Sequence, residues 1–536
     1  MKIVLAEKVS PATLAVFESE ADWQIVTHDQ IKNGLAAELA NADGLVVRSA
    51  VQVDDALLEA APKLRVIGRA GVGVDNIDAD AATRRGIVVM NTPGANAIAV
   101  AELTIGLMLA LARQLPRANA LLHAGKWEKK SLQGAELRGK QLGILGLGRV
   151  GLEVARRAKG FGMDLLGHDP FVAPAVAREN GVRLCSMDEL FRGADYLTLH
   201  VGLTPQTTGI INSQTLATMR KNARIVNCAR GELIDDEALV AALRSGQVAG
   251  AALDVFSHEP LKDSPYFGLD NVILTPHIAG STGEAQEAVG VQIAMQVKEY
   301  LKFGVVQNAV NLPSMTYEEY QELSPYILMA ERLGAFLGPL ATGNLESIHL
   351  SYSGRLSQGK TELVRNAAIQ GVLAHSETVN RINALSVAGE RGIRVHEEKN
   401  EEGSGGAGTV LKLTLHTGTG DSTASATVLH GSSPRLLACD GIDIEAPLHG
   451  TLLFIRNRDV PGVIGRIGTI LGEHKMNIAN FALGRSLQRA EHNALAVVQI
   501  DGRVTPSVLA ALQATEAITE VRLIELADRQ PSPATE

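Results

Sequence analysis

Apolar runs of strand length alternate with stretches of helical period from the first residues onward: Lys2–Ala6, Trp23–Thr27, Gly44–Arg48, Arg65–Gly68 and Ile87–Met90. Such alternation predicts a parallel, doubly wound sheet. The turn-rich segment Asn91-Thr-Pro-Gly-Ala-Asn96 predicts a hinge into a second lobe. That lobe opens with a long apolar helix, Ala97 to Leu115, and continues through strands near Gly143, Leu165, Tyr196, Arg224, Ala251 and Val272. A helix after Ser281, reaching Leu301, is expected to return to the first lobe. Residues 1–96 with 285–312 then form one α/β lobe and 97–284 the other, with a cleft between them.

The pattern changes after Phe303–Pro313, which reads as an exit strand or linker. A helix over Leu323–Leu337, a strand over Glu346–Ser353 and a helix over Thr361–Leu373 lead into two period-2 strands, Thr409–Thr417 and Ser422–Leu429. Residues 313–449 are therefore expected to form an α+β domain. The charged, glycine-rich stretch Glu397–Gly408 is expected to be a mobile loop within it. From Gly450 the order is β-α-β-β-α-β: Thr451–Arg456, Gly462–His474, Ile478–Gly484, Ala494–Ile500, Pro506–Ala514 and Thr519–Leu526. This is the ferredoxin-like arrangement, over residues 450–527. The polar tail 528–536 is expected to be disordered.

Composition narrows the class. At 536 residues the chain exceeds one core, and a net charge of −9 argues against a nucleic-acid or acidic-membrane partner. Cys185, Cys228 and Cys439 are too few and too scattered for a disulfide framework or a metal cage, so no metal is expected and a reducing cytoplasm is the natural compartment. No export signal and no apolar run of about 20 residues is visible.

The chemistry centres on Gly146-x-Gly148-x-x-Gly151, which follows the apolar run Leu142–Leu145 and precedes a helical stretch. Strand, glycine turn and helix in that order form a pyrophosphate cradle, with the anion on the helix N-terminus. Asp169 ends the next strand, 169 − 151 = 18 residues on, where a carboxylate accepts hydrogen bonds from an adenosine ribose. Its charge and the lack of an adjacent Arg favour NAD over NADP. Three later strands end in Arg230, in Asp254 and Glu259, and in His277, all on the sheet edge that carries the glycine turn. A planar cation to hold a carboxylate, a base that titrates near neutrality and an acid to orient it are what hydride abstraction from a 2-hydroxy acid needs. In the first lobe, Arg48 with Ser49, and Arg69 with Gly71 and Gly73, end strands at positions suited to an anionic ligand, though the glycines also fit a plain loop.

With Asn227-Cys-Ala-Arg230-Gly, Leu253-Asp-Val-Phe, Glu259-Pro and Pro276-His-Ile-Ala-Gly-Ser-Thr282 added to the glycine turn, the first ~300 residues resemble the D-isomer-specific 2-hydroxyacid dehydrogenases. The resemblance implies catalytic roles for Arg230, Glu259 and His277. It implies substrate contacts from Arg48, Ser49, Arg69, Gly71, Asn96, Arg230 and His277. Cofactor contacts are implied for Gly146, Gly148, Arg149, Val150, Gly151, Asp169, Val201, Cys228, Ala229, Arg230, Asp254, His277 and Gly280. Val72 and Val201 depart from residue types common in relatives. Ala70–Asn76, Asn91–Asn96 and Gly125-Lys-Trp127-Glu resemble the branch that oxidises 3-phosphoglycerate at the start of serine synthesis; Lys129 and Lys130 fit a partner's phosphate site or a solvated surface. Asn457-Arg-Asp459-Val-Pro-Gly462 and Met476-Asn477 resemble the amino-acid-sensing ACT module. Asn457, Asp459 and Asn477 would then hold an effector such as L-serine, although Asp459 equally suits a helix cap. Family resemblance implies a homodimer or homotetramer. Another D-2-hydroxy acid as substrate, or an NAD-responsive corepressor-type binding protein, would use the same scaffold.

Overall fold

The computed structural model describes residues 1–313, 315, 317–374, 379–400, 408–486 and 493–526. Four sheets organise them. The first contains β1 (Lys2–Leu5), β2 (Gln24–Val26), β3 (Gly44–Val47), β4 (Val66–Arg69) and β5 (Val88–Met90), all parallel, in the order β2-β1-β3-β4-β5. The second contains β6 (Gln141–Leu145), β7 (Asp164–His168), β8 (Val182–Leu184), β9 (Tyr196–Leu199), β10 (Ala223–Asn227), β11 (Val248–Leu253) and β12 (Val272–Leu274). It too is parallel, ordered β12-β11-β10-β9-β6-β7-β8. The chain runs outward from β6 and returns at β9, so a crevice opens beyond their carboxyl ends, where ligands bind in such sheets. β3 and β9 are buried at every residue, because layers cover both faces; this is why they read as unbroken apolar runs. The short strand β8 was not apparent in the hydrophobic pattern.

Helix Gly283–Phe303 does return to the first lobe. Its Val289, Ile293, Val297 and Leu301 share a core with Ile3, Leu5, Val66 and Met90. Segment 303–313 is not a strand; it contributes one isolated bridge, Ala309 to Met90. The long helix also differs from expectation, ending at Arg113, where Gln114 turns left-handed (φ 53) before a second helix, Leu115–His123. Pro116 lies in the first turn of that second helix and has no N–H to continue the first. No single helix among the described residues is long and apolar enough to cross a membrane; this pair passes by length and composition only with a 62° bend.

The third sheet contains β13 (Leu345–Ser353), β14 (Arg394–Asn400), β15 (Val410–Thr417), β16 (Gly420–Leu429), β17 (Ser433–Cys439) and β18 (Ile442–Pro447), ordered β14-β13-β15-β16-β17-β18. β14 corrects part of the expected loop: residues 397–400 are strand, because Glu397 is held by Tyr352 Oη (2.8 Å) and Arg365 Nη1 (2.9 Å). Residues 401–407 of that stretch, and the tail 528–536, lie outside the described residues. Asn380 and Asn383 dock this region on the first lobe, donating to Gly86 O (2.9 Å) and Arg84 O (3.1 Å).

The fourth sheet, β19 (Gly450–Arg458), β20 (Asn477–Arg485), β21 (Asn493–Asp501) and β22 (Ile518–Leu526), is antiparallel in the order β20-β21-β19-β22. Helices Val463–Glu473 and Pro506–Gln513 cover the face carrying Leu453, Ile455 and Val498. Its other face, carrying Leu452, Phe454, Val497 and Ile524, shares a core with helix Tyr317–Leu337, where Phe336 meets Phe454 edge-on at 6.0 Å. Burial on both faces explains the four consecutive apolar residues Leu452–Ile455.

Candidate active site

β6 empties into Gly146, whose φ of 94° favours glycine and whose N–H is bonded to His168 O (2.9 Å). Helix Arg149–Gly160 starts beside it, so close that a Cβ on Gly151 would meet Gly146 O at 2.1 Å. By contrast, a Cβ on Gly148 would meet nothing within 4 Å. The space beside Gly148 is therefore open, which leaves the first turn of the helix accessible to an anion. At the tip of β7 the Asp169 carboxylate accepts from Leu147 N (2.8 Å) and Phe171 N (2.8 Å), which fixes it beside the glycine turn. No cation among the described residues pairs with Asp169, in keeping with a ribose acceptor rather than a phosphate site. Replacing Asp169 with Ala is expected to raise the Kd of NAD roughly tenfold and to narrow the preference over NADP, measured by titration with both cofactors.

Arg149 and Val150 start the same helix; Arg149 reaches across the hinge to Pro93 O, and Val150 is half-buried. Val201 is partly buried behind Gly146. Cys228 packs into the core against Thr104, and burial pushes its thiol up to about 12, so it is an inert packing group. Ala229 lines the Arg230 turn. His200 lies behind the glycine turn on Thr198 Oγ1 (2.9 Å), and burial pulls its pKa down to about 3, leaving it neutral.

Three neighbouring strands deliver the candidate chemistry. Beyond β10, the buried Asn227 side chain donates to Arg230 O (2.8 Å) and accepts from Ala229 N (3.0 Å), a local staple that turns Arg230 outward. Arg230 Nη1 donates to Ala229 O (2.7 Å), and Nη2 lies 3.2 Å from Asp75 Oδ2 in the opposite lobe. Beyond β11, Glu259 Oε1 accepts from Phe256 N (3.0 Å) while Oε2 lies 2.7 Å from His277 Nδ1. An ionised carboxylate only accepts, so Nδ1 carries the proton and the Nε2 lone pair is free to act as a base. Beyond β12, His277 adopts φ 51°, a left-handed conformation that needs outside support. Buried Asp254 supplies it: its carbonyl accepts from His277 N (2.9 Å), and its carboxylate accepts from Thr275 Oγ1 (2.6 Å), Ile278 N (2.9 Å) and Ala279 N (2.9 Å). Both Asp254 oxygens are thus engaged by the histidine turn, Oδ1 by two donors and Oδ2 by one.

The first lobe faces this edge with two guanidinium groups, those of Arg48 and Arg69. Arg69 is held below its ordinary pKa first by burial and then by the like charge of Arg230, with Arg48 adding to it, so the three form one cationic cluster. Ser49 follows Arg48 in an exposed turn whose N–H groups, at Arg48 (2.8 Å), Ala50 (3.3 Å) and Val51 (3.2 Å), are capped by Glu7. Arg69 folds over Gly71. Asn96 meets Gly280 across the hinge, with its Oδ1 buried and unpartnered. Sequence reasoning assigned no role to Asp75, Glu7 or Thr275. Glu7 and Asp75 follow β1 and β4 on the ligand-facing edge, and that position was their available signal. Lys129 and Lys130 sit in an exposed turn beside Trp127.

The expected effector residues do not meet within one chain. Asp459 does not cap the helix, whose N-cap is Gly462; it pairs with Arg485 at 3.5 Å. Asn477 donates to Asp501 (2.5 Å) at the other end of β20, eight residues from Arg485 and so about 26 Å away at ~3.3 Å per residue. The Asn457 side chain is buried, with Oδ1 unpartnered.

A dinucleotide cradle at a topological switch point, facing an arginine cluster across a cleft with a Glu-oriented histidine, defines a nicotinamide-dependent oxidoreductase of 2-hydroxy acids. The family model for the NAD-binding domain of D-isomer-specific 2-hydroxyacid dehydrogenases matches residues 105–279. The D-3-phosphoglycerate dehydrogenase intervening domain matches 322–440, and the ACT domain matches 451–517. The chain is 41% identical over 529 residues to the D-3-phosphoglycerate dehydrogenase of Methanocaldococcus jannaschii, covering 98% of this chain and 100% of the relative. It is 38% identical over 492 residues to that of Bacillus subtilis, covering 91% and 93%. Aquifex aeolicus D-lactate dehydrogenase, solved with NAD and lactic acid, matches 59% of this chain and 100% of its own at 28% identity, with a TM-score of 0.52. The chain belongs to the D-3-phosphoglycerate dehydrogenase family of D-isomer-specific 2-hydroxyacid dehydrogenases.

Proposed function

We propose that the chain catalyses NAD-dependent oxidation of 3-phospho-D-glycerate to 3-phosphohydroxypyruvate, the first step of L-serine synthesis, in the cytoplasm. The observation that carries it is the His277–Glu259 pair at 2.7 Å on the sheet edge that carries Arg230, opposite Arg48 and Arg69. Arg230 anchors the C1 carboxylate and polarises the C2 oxygen. His277 Nε2 takes the C2 hydroxyl proton, and Glu259 stabilises the imidazolium that results. NAD, when bound along Gly146–Gly151 and Asp169, supplies the acceptor for the hydride leaving C2. Arg48 and Arg69 add positive charge where a phosphorylated acid needs it, and this favours 3-phosphoglycerate over the singly charged lactate.

The exposed apolar side chains of Ile98, Leu115, Leu122 and Trp127 flank the helix pair of the cofactor lobe and support a homodimer or homotetramer built on that face. An effector site for L-serine that uses both Asp459 and Asn477 requires two ACT modules side by side, since one chain holds these residues at opposite strand ends. NADH formation from 3-phosphoglycerate is expected to exceed that from glycerate, lactate and 2-hydroxyglutarate by at least about 100-fold in kcat/KM, the scale of binding discrimination between close analogues. L-serine is expected to lower the rate, and Asp459→Ala and Asn477→Ala each to weaken that inhibition. No turnover of the phosphorylated acid would overturn the substrate assignment; serine inhibition unchanged in both variants would overturn the effector site.

A further inference from the structure

We propose that Asp75 is an internal competitor for the substrate carboxylate, holding the Arg230 fork until an incoming carboxylate displaces it. The proposal rests on Arg230 being the carboxylate anchor. Asp75 Oδ2 lies 3.2 Å from Arg230 Nη2 and reaches it from the other lobe, so a carboxylate of the protein sits where a ligand's would be recognised. The guanidinium rests directly on the turn that carries Asp75: a Cβ on Gly73 would come within 2.0 Å of Arg230 Nη2 and 2.8 Å of Asp75 Oδ2. Close approach of the two lobes at this point therefore depends on glycine.

Two further observations suit an exchangeable partner. The Asp75 side chain is 70% exposed and that of Arg230 28%, so the pair is solvated and weak. The turn around Asp75 is shaped by other groups: Val53 N donates to Asn76 O (2.8 Å), Ile77 N to Val74 O (2.8 Å), and Asn76 Nδ2 to Arg48 O (3.0 Å) and Val51 O (2.7 Å). Among the described residues the Asp75 side chain has no other hydrogen-bond or ion-pair partner. Its carboxylate is therefore not needed to shape the turn and is free to leave Arg230.

The consequence concerns substrate and product alike. Both carry a carboxylate at C1, so both bear the same displacement cost, and return of Asp75 to Arg230 assists product release. Asp75 also offsets the mutual repulsion of Arg69 and Arg230, which keeps the cation cluster tolerable before a polyanion enters.

Asp75→Asn and Asp75→Ala, made in the full chain, test this through KM, kcat, the inhibition constant of 3-phosphohydroxypyruvate, and calorimetric 3-phosphoglycerate binding with and without Arg230→Lys. Both substitutions are expected to lower KM and the product inhibition constant about two- to fivefold, the scale of an exposed ion pair, with kcat changed less than about twofold. In the Arg230→Lys background the gain in binding should largely vanish, because the planar fork that Asp75 occupies is gone. Unchanged or raised KM in both variants overturns the proposal. So does an equal gain with Lys at position 230, which makes Asp75 only a diffuse charge, and so does a loss in kcat larger than the change in KM. If the parent chain fails to turn over 3-phosphoglycerate, or Arg230→Lys leaves kcat/KM unchanged, the assignment of Arg230 itself has failed; normal parent turnover with unmoved KM in the Asp75 variants sinks the competitor alone.

Discussion

Turnover should fall by about 10²- to 10⁴-fold when His277 is replaced by Asn, the range expected for loss of a general base, while the Kd for NADH stays within about twofold. Asn is the informative choice. Position 277 has φ 51°, and Asn tolerates that conformation better than Ala, so the backbone bonds from residue 277 to Asp254 O (2.9 Å) and Thr275 O (3.0 Å) are retained. The substitution removes the Nε2 lone pair and the 2.7 Å contact to Glu259, with little else altered. Stopped chemistry with cofactor binding intact, read by NADH fluorescence titration beside steady-state rates, identifies a base. Parallel loss of both would mean that residue 277 builds the cofactor site instead.

What could be read before the structure depended on how local each feature was. Gly146, Gly148, Gly151 and Asp169 were legible because strand, turn, helix and strand follow one another within about thirty residues, and one βα unit fixes their geometry. Arg230, Glu259 and His277 were legible as a set because parallel strands end on one edge, so three strand-terminal turns converge without any knowledge of side-chain contacts. The Asp75–Arg230 pair was not legible, because it depends on how two lobes close on each other, and no periodicity encodes that. Asn477 and Asp459 show the same limit from the other side. The motif joins them, but β20 and β19 are both antiparallel to β21 between them, and this register sends the two residues to opposite ends of the sheet. Glu397–Asn400 misled for a third reason. Charge and nearby glycine suggested solvation, but Arg365 and the Tyr352 hydroxyl neutralise Glu397 and hold the stretch as an edge strand.

Asp254 carries the second large effect, because it holds the histidine turn from beneath. Asp254→Ala would leave Thr275 Oγ1, Ile278 N and Ala279 N without the acceptors they now have at 2.6–2.9 Å, in a position that is fully buried. An orphaned buried donor costs about 1–3 kcal/mol, and the Ala279 N–H is the buried one of the three, so a loss on the order of 1–3 kcal/mol is expected, read as a lower urea midpoint for the cofactor lobe. Catalysis should fall further than stability alone explains. His277 at φ 51° holds its place against Glu259 only while the turn is pinned, and a displacement near 1 Å at such a group costs about 100-fold in rate. Asp254→Asn grades the effect: its amide oxygen can still serve Thr275 and Ile278, but its NH₂ would face the Ala279 N–H, donor against donor. The order expected for both kcat and midpoint is parent, then Asn, then Ala. A rise in the KM for NAD with the urea midpoint unmoved would instead make Asp254 a direct cofactor contact. The bonds to residues 275, 278 and 279 argue for the clamp, since all three donors belong to the histidine turn itself.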